Sequence, residues 1–152
     1  MKLASALLER ANLQSRIEEL SRRLNRNAKV MAGEKPAEAP ELLLKEMEDA
    51  YIRLEELIFK INMTNAQTMV DGMSLTALLA KRDCLKDKAR TLRSFLGYAS
   101  EKVQKLSKAE IAILSTVNVT DLQKQVDALS KELRIVDEKI QEKNWTTDLI
   151  EL

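Results

Sequence analysis

Four stretches of the sequence place apolar residues at alternating steps of three and four, and this spacing narrows the fold more than any other feature. Leu3, Ala6, Leu13, Ile17, Leu20 and Leu24 keep the step around one intruder, Arg10. Leu44, Met47, Tyr51, Leu54, Ile58 and Ile61 keep it next, followed by Leu78, Leu85, Ala89, Leu92, Leu96, Ala99, Val103 and Leu106 around Arg82. Val119, Leu122, Val126, Leu129, Leu133, Val136 and Ile140 keep it without interruption. A 3-4 step is the seam of a coiled coil, narrower than the apolar face of an ordinary globular helix. The expected fold is therefore mainly α, with long antiparallel coiled-coil-like helices in a bundle. Ala, Glu, Lys, Leu and Arg make up about half of the 152 residues, the composition of long helices. With 3% aromatics, 3 Gly and 2 Pro, there is little material for a sandwich of short strands or a Gly-rich phosphate cradle.

Breaker residues set the helix limits. The spacing predicts helices over about 2–27, 41–65, 74–106 and 120–145 of one helical domain, 1–152, with a connector at 33–40 that holds Gly33, Pro36 and Pro40. Thr120 with Gln123 three residues on has the spacing of a capping box, as do Ser107 and Glu110. Asp71-Gly72, flanked by Gln67 to Val70 and Met73 to Leu75, suits a two-residue hairpin. A small accessory sheet is expected there from the interhelical connections, joined by the alternating Ile111, Ile113, Val117 and Val119 and by Ala28 to Met31.

Charge alternates along the chain. Net charge is +4 over residues 1–30, −5 over 34–56, +6 over 81–108 and −3 over 120–152, and the whole chain carries +1. Antiparallel neighbours in sequence order would set basic flanks against acidic ones, which selects correct pairings more than it adds stability.

The residues that are absent exclude whole chemistries. Without a single His, the chain itself supplies no Ser-His-Asp or Cys-His catalysis, no His-ligated zinc and no proximal haem ligand. Cys84 is the sole cysteine, so no intramolecular disulfide forms, which fits a cytoplasmic protein. The apolar run Leu3 to Leu8 is too short for a signal-peptide core, and no stretch approaches the ~20 apolar residues of a membrane span. The acidic residues Glu46, Glu48, Asp49, Glu55 and Glu56 spread around a helix rather than converging on a metal. No metal, cofactor or catalytic residue is expected.

The residues open to a functional reading are polar ones in or beside seams. Arg10, Arg82 and the adjoining Asp83, with Asn62, Thr64 and Asn65, form a candidate polar cluster or anion pocket. The bland counterparts are register-fixing ion pairs for the arginines and helix capping for Asn62, Thr64 and Asn65. The candidate oligomer interface is Leu13, Ile17, Leu20, Leu24, Leu122, Val126, Leu129, Leu133, Val136 and Ile140, with Trp145 as either an exposed anchor or a pin for its own helix end. Lys81, Arg82, Lys86, Lys88, Arg90 and Arg93 look like a nucleic-acid footprint, but the sequence pI of about 7.8 lies below the range of such domains.

The segments Met1-Lys2-Leu3-Ala4, Leu7 to Ala11, Ile61-Asn62, Thr64-Asn65, Arg82-Asp83, Ser115-Thr116-Val117 and Ile140 to Thr147 together resemble the small bacterial helical proteins named septicolysin. The likeness spans nearly the whole chain. That family places a basic residue where this chain has Met63, and it carries no catalytic residue over. The family's name alone suggests a cytolysin-like pore former, and the resemblance implies no mechanism. The residues themselves point first to a non-enzymatic, self-associating scaffold or adaptor that forms a homo-oligomer. An RNA- or tRNA-binding arm, similar to the hairpin arm of seryl-tRNA synthetase, is the alternative. Pore formation comes last, since charges ring the apolar seams.

Overall fold

The computed structural model describes residues 1–101 and 111–152. Among them lie α1 (Leu3–Arg26), α2 (Pro40–Gln67), β1 (Met69–Val70), β2 (Met73–Ser74), α3 (Leu75–Ser100) and α4 (Val119–Thr146), so the protein is mainly helical with a small antiparallel sheet. The limits of α1, α2 and α4 fall within two residues of those the spacing predicts. Val103, Leu106 and the Ser107–Glu110 capping spacing lie outside the described residues.

Two compact units share the chain: residues 1–75 with 141–152, and residues 76–140. One limit falls at the start of α3, just beyond the Asp71-Gly72 turn, and the other inside α4, where no Gly or Pro marks it.

In the first unit α1 and α2 form a hairpin. On α1 the expected seam holds: Leu3, Ala6, Ile17 and Leu20 are buried and Leu13 is half-buried. On α2 the seam differs from the expectation. Leu43, Ala50, Leu54, Leu57, Ile61 and Thr64 face inward, whereas Leu44, Tyr51 and Ile58, expected in the seam, are exposed. The buried frame keeps the expected Leu54 and Ile61, with Met47 half-buried, but takes Leu43, Ala50 and Leu57 in place of Leu44, Tyr51 and Ile58, which turns the buried face by about 50°. Ala50 accounts for the misreading, since it is a small residue at the crossing with α1, packed with Ile17 and Leu54.

The ends of this hairpin are tied by the backbone. Pro40 occupies the first turn of α2, where its missing N–H leaves no partner wanting. Asn27 is buried at the end of α1. Its Nδ2 donates to the Arg23 carbonyl (2.8 Å) and its Oδ1 accepts from the Glu38 N–H (3.0 Å), which clips the connector back onto α1. At the other end Asp71 (φ 51°) and Gly72 (φ 82°) make the two-residue turn between β1 and β2, paired Met69 with Ser74 and Val70 with Met73. The sheet is smaller than expected. Ala28 to Met31 form no strand, nor do the described residues 111–118, where Ile111, Ile113 and Leu114 are exposed and find no edge to pair with.

The chain termini close the unit. The Leu3 N–H donates to the Thr147 carbonyl (2.9 Å), the Leu149 N–H to the Met1 carbonyl (2.8 Å), and Lys2 pairs with Asp148 (2.9 Å). Leu149 is buried, while Trp145 is exposed, so Leu149 rather than Trp145 anchors this end.

In the second unit Leu78, Ala89, Leu122, Val126 and Val136 are buried and Leu85, Leu92, Leu96, Leu129 and Leu133 half-buried, on the expected seams of α3 and α4. The cap of α4 is Asn118 rather than Thr120: its Oδ1 accepts from the Asp121 N–H (3.1 Å), and Asp121 adds a negative charge to the first turn.

The rotated frame on α2 is testable with two adjacent leucines. Leu43→Ala should lower stability by about 2–5 kcal/mol and Leu44→Ala by about 1 kcal/mol or less, measured by urea denaturation at high dilution. The frame read from the sequence alone demands the reverse order.

Candidate association surfaces

The candidate polar residues separate between the two units, and each set has local partners. Thr64 is buried; its Oγ1 donates to the Lys60 carbonyl (2.7 Å) and accepts from the Ile150 N–H (3.0 Å), so it receives the C-terminal tail. Asn65 is half-buried and Asn62 exposed on the same helix. Arg10 is half-buried in the α1 seam and takes part in none of the ion pairs among the described residues. In the second unit Arg82 contacts Asp83 (3.3 Å) and reaches across to Asp137 on α4 (3.7 Å), one of several polar contacts between α3 and α4. Among the described residues no group of three or more potential ligands could hold a metal ion.

One flank of the α1–α2 hairpin is ionic. Glu9, Arg16 and Arg23 stand seven residues apart on α1 and meet Arg53, Glu46 and Glu38 in reverse order. Glu9 accepts from Arg53 at 2.6 and 3.1 Å, Arg16 binds Glu46, and Glu38 takes both Arg23 nitrogens at 2.5 to 3.1 Å. Hydrogen bonding to Arg53 holds the Glu9 carboxyl below the usual range, and hydrogen bonding to Arg23 does the same for Glu38. Lys60 and Arg53 lower Glu56, and Lys2 lowers Asp148. In turn Glu9 raises Arg53, Glu46 raises Arg16 and Glu38 raises Arg23. The order of charge on α1, negative at Glu9 and positive at Arg16 and Arg23, thus matches one antiparallel register.

The other flank of α2 is apolar and in solvent. Leu44, Tyr51 and Ile58, one heptad apart, sit one residue beyond the buried positions 43, 50 and 57. The ion-pairing positions 46 and 53 sit three residues beyond, about 60° to the opposite side. Ile52 (60% exposed) and Phe59 (54%) widen the stripe, and the exposed Glu48 and Glu55 interleave it. Ile17, Leu20, Leu122, Val126, Val136 and Ile140, expected at an oligomer interface, are already covered within one chain. Leu13, Leu24, Leu129 and Leu133 are half-buried in the same seams, and of the expected interface residues Trp145 alone is fully in solvent. Reading the sequence missed the α2 face because it turned Leu44, Tyr51 and Ile58 inward. The signal that could have found it is the charge match of Arg53 and Glu46 with Glu9 and Arg16.

The second unit has a groove along α3 and α4. A space of about 480 Å³ is bounded by Arg93, Leu96, Gly97, Gln123, Val126 and Ser130 among others. A second of about 440 Å³, sharing Ser130, is bounded by Arg82, Lys86, Leu133, Arg134 and Asp137. Four cations face two carboxylates here, Asp127 and Asp137, over a floor of Leu96, Val126 and Leu133. Arg93 donates to Ser130 Oγ (2.5 Å), and Ser130 donates to the Val126 carbonyl (2.9 Å).

A model of a family of unknown function, DUF6847, matches residues 10–149. The crystal structure of a functionally unknown conserved protein from Corynebacterium diphtheriae is similar at 35% identity, with 99% of each chain covered and a TM-score of 0.92. No curated protein matches.

Two measurements check the local chemistry. Glu9, Glu38, Glu56 and Asp148 are all lowered in the folded chain, so their contribution is complete above the ordinary carboxylate range and is lost as pH falls through the lowered values. The urea midpoint should hold between about pH 6 and 9 and fall between about pH 5 and 3, and Glu9→Gln with Glu38→Gln should flatten that fall. Thr64→Val, which leaves the Ile150 N–H without its acceptor, should destabilise by about 1–3 kcal/mol in the same assay.

Proposed function

The chain belongs to this family of unknown function, and we propose that it is a non-enzymatic, self-associating helical scaffold whose association surface is the exposed face of α2. The observation that carries the reading is the stripe of Leu44, Tyr51, Ile52, Ile58 and Phe59 in solvent on one helix. Scattered apolar residues are ordinary on a surface, but a contiguous set rimmed by charge marks a place where another surface is buried. The lowered Glu9 and Glu38 and the raised Arg53 trace to ion pairs that tie α1 to α2 and its connector, which suits an architectural role.

A helical nucleic-acid-binding arm is the second reading, favoured by the exposed Lys86, Lys88, Arg90 and Arg93 on α3. Arg90 is engaged by Asp87, which removes part of that charge. Steeply salt-dependent RNA binding would favour this arm.

Sedimentation of the purified chain across micromolar concentrations tests the scaffold. A homo-oligomer is expected, and Tyr51→Glu should shift it toward monomer at least tenfold while helix content stays unchanged. A folded chain that remains a monomer throughout overturns the proposal.

A further inference from the structure

Resting on that self-association reading, we infer that the groove between α3 and α4 receives the α2 face of a second copy of the chain. The two surfaces are complementary in three respects. Glu48 and Glu55 interleave the apolar stripe of α2, both exposed and outside the ion pairs of the described residues. The groove presents Arg82, Lys86, Arg93 and Arg134, of which Lys86 and Arg134 have no ion-pair partner among the described residues. Segment charge agrees in sign, −5 over residues 34–56 against +3 over 81–101 and −1 over 119–140, a net +2 for the two groove helices.

Length agrees as well. From Leu44 to Phe59 the stripe runs about 22 Å at 1.5 Å per residue, and the groove wall from Arg82 to Ser100 runs about 27 Å. Burial is the third match. Leu96 and Leu133 in the groove are half-buried, so a third helix laid along it would complete a three-helix array in which Tyr51 and Ile58 supply the missing side chains.

The competing occupant, α2 of the second copy against α2 itself, is disfavoured by charge. Glu48 and Glu55 flank Tyr51 on the same face, so parallel and antiparallel pairings alike would bring these carboxylates together.

Charge exchange between copies tests this directly. Glu48→Lys with Glu55→Lys makes one variant, and Lys86→Glu with Arg134→Glu makes the other; circular dichroism checks that both stay helical. Each variant alone should associate at least tenfold more weakly than the wild type. An equimolar mixture should recover the wild-type oligomer, because the reversed face then meets the reversed groove. A groove variant that associates like the wild type, or a mixture without recovery, overturns the assignment while the scaffold reading stands. A wild-type chain that never associates removes both.

Discussion

The contact between α1 and the 43, 50, 57 stripe of α2 determines what the first unit shows to solvent. Two apolar frames compete on α2; they share Leu54 and Ile61 and differ by one residue at three heptad positions. The frame with Leu43, Ala50 and Leu57 is less bulky than the frame with Leu44, Tyr51 and Ile58, yet it is the one buried. Hydrophobic area alone would favour the larger residues. What the smaller frame adds is close approach at Ala50 together with two ion pairs on its flank, Glu9–Arg53 and Arg16–Glu46, and a third from the connector, Arg23–Glu38. Each such exposed pair stabilises by only about 0–1 kcal/mol. Together with the close approach at Ala50 they favour this face of α2, and turning the helix would part Glu9 from Arg53 and Arg16 from Glu46.

The rest of the unit is consistent with that choice. Thr64 falls in the buried frame, where its hydroxyl is positioned to receive the Ile150 N–H. The C-terminal tail can therefore lie between the start of α1 and the end of α2, with Leu149 buried and Lys2 paired to Asp148. The consequence for function is an apolar face left over on α2.

Much of the fold was legible in the sequence because its elements depend on local rules. The 3-4 step placed α1, α3 and α4 with the correct face inward, and Asp71-Gly72 marked the hairpin because few other dipeptides accept two positive φ angles. Period-two alternation failed at Ile111 and Ile113, since a strand needs an edge to pair with and spacing cannot supply one. Thr120 was a plausible cap until Asn118, two residues earlier, offered its carboxamide to Asp121. The candidate sites were less legible. Arg82 could be recognised as a seam cation, but its partner Asp137 is 55 positions away. The exposed face of α2 was hidden by the preference for bulky residues in a core, from which the small Ala50 at the crossing with α1 departs.

The central claim is that α2 turns Leu44, Tyr51 and Phe59 outward and that a second copy covers them. Hydroxyl-radical footprinting of side chains across a dilution series tests it most directly. The account predicts that Leu44, Tyr51 and Phe59 are labelled strongly in dilute solution and lose reactivity as concentration rises, while Leu43 and Leu57 stay unlabelled throughout. Equal labelling of Tyr51 and Phe59 at every concentration, or strong labelling of Leu43 and Leu57, would contradict it.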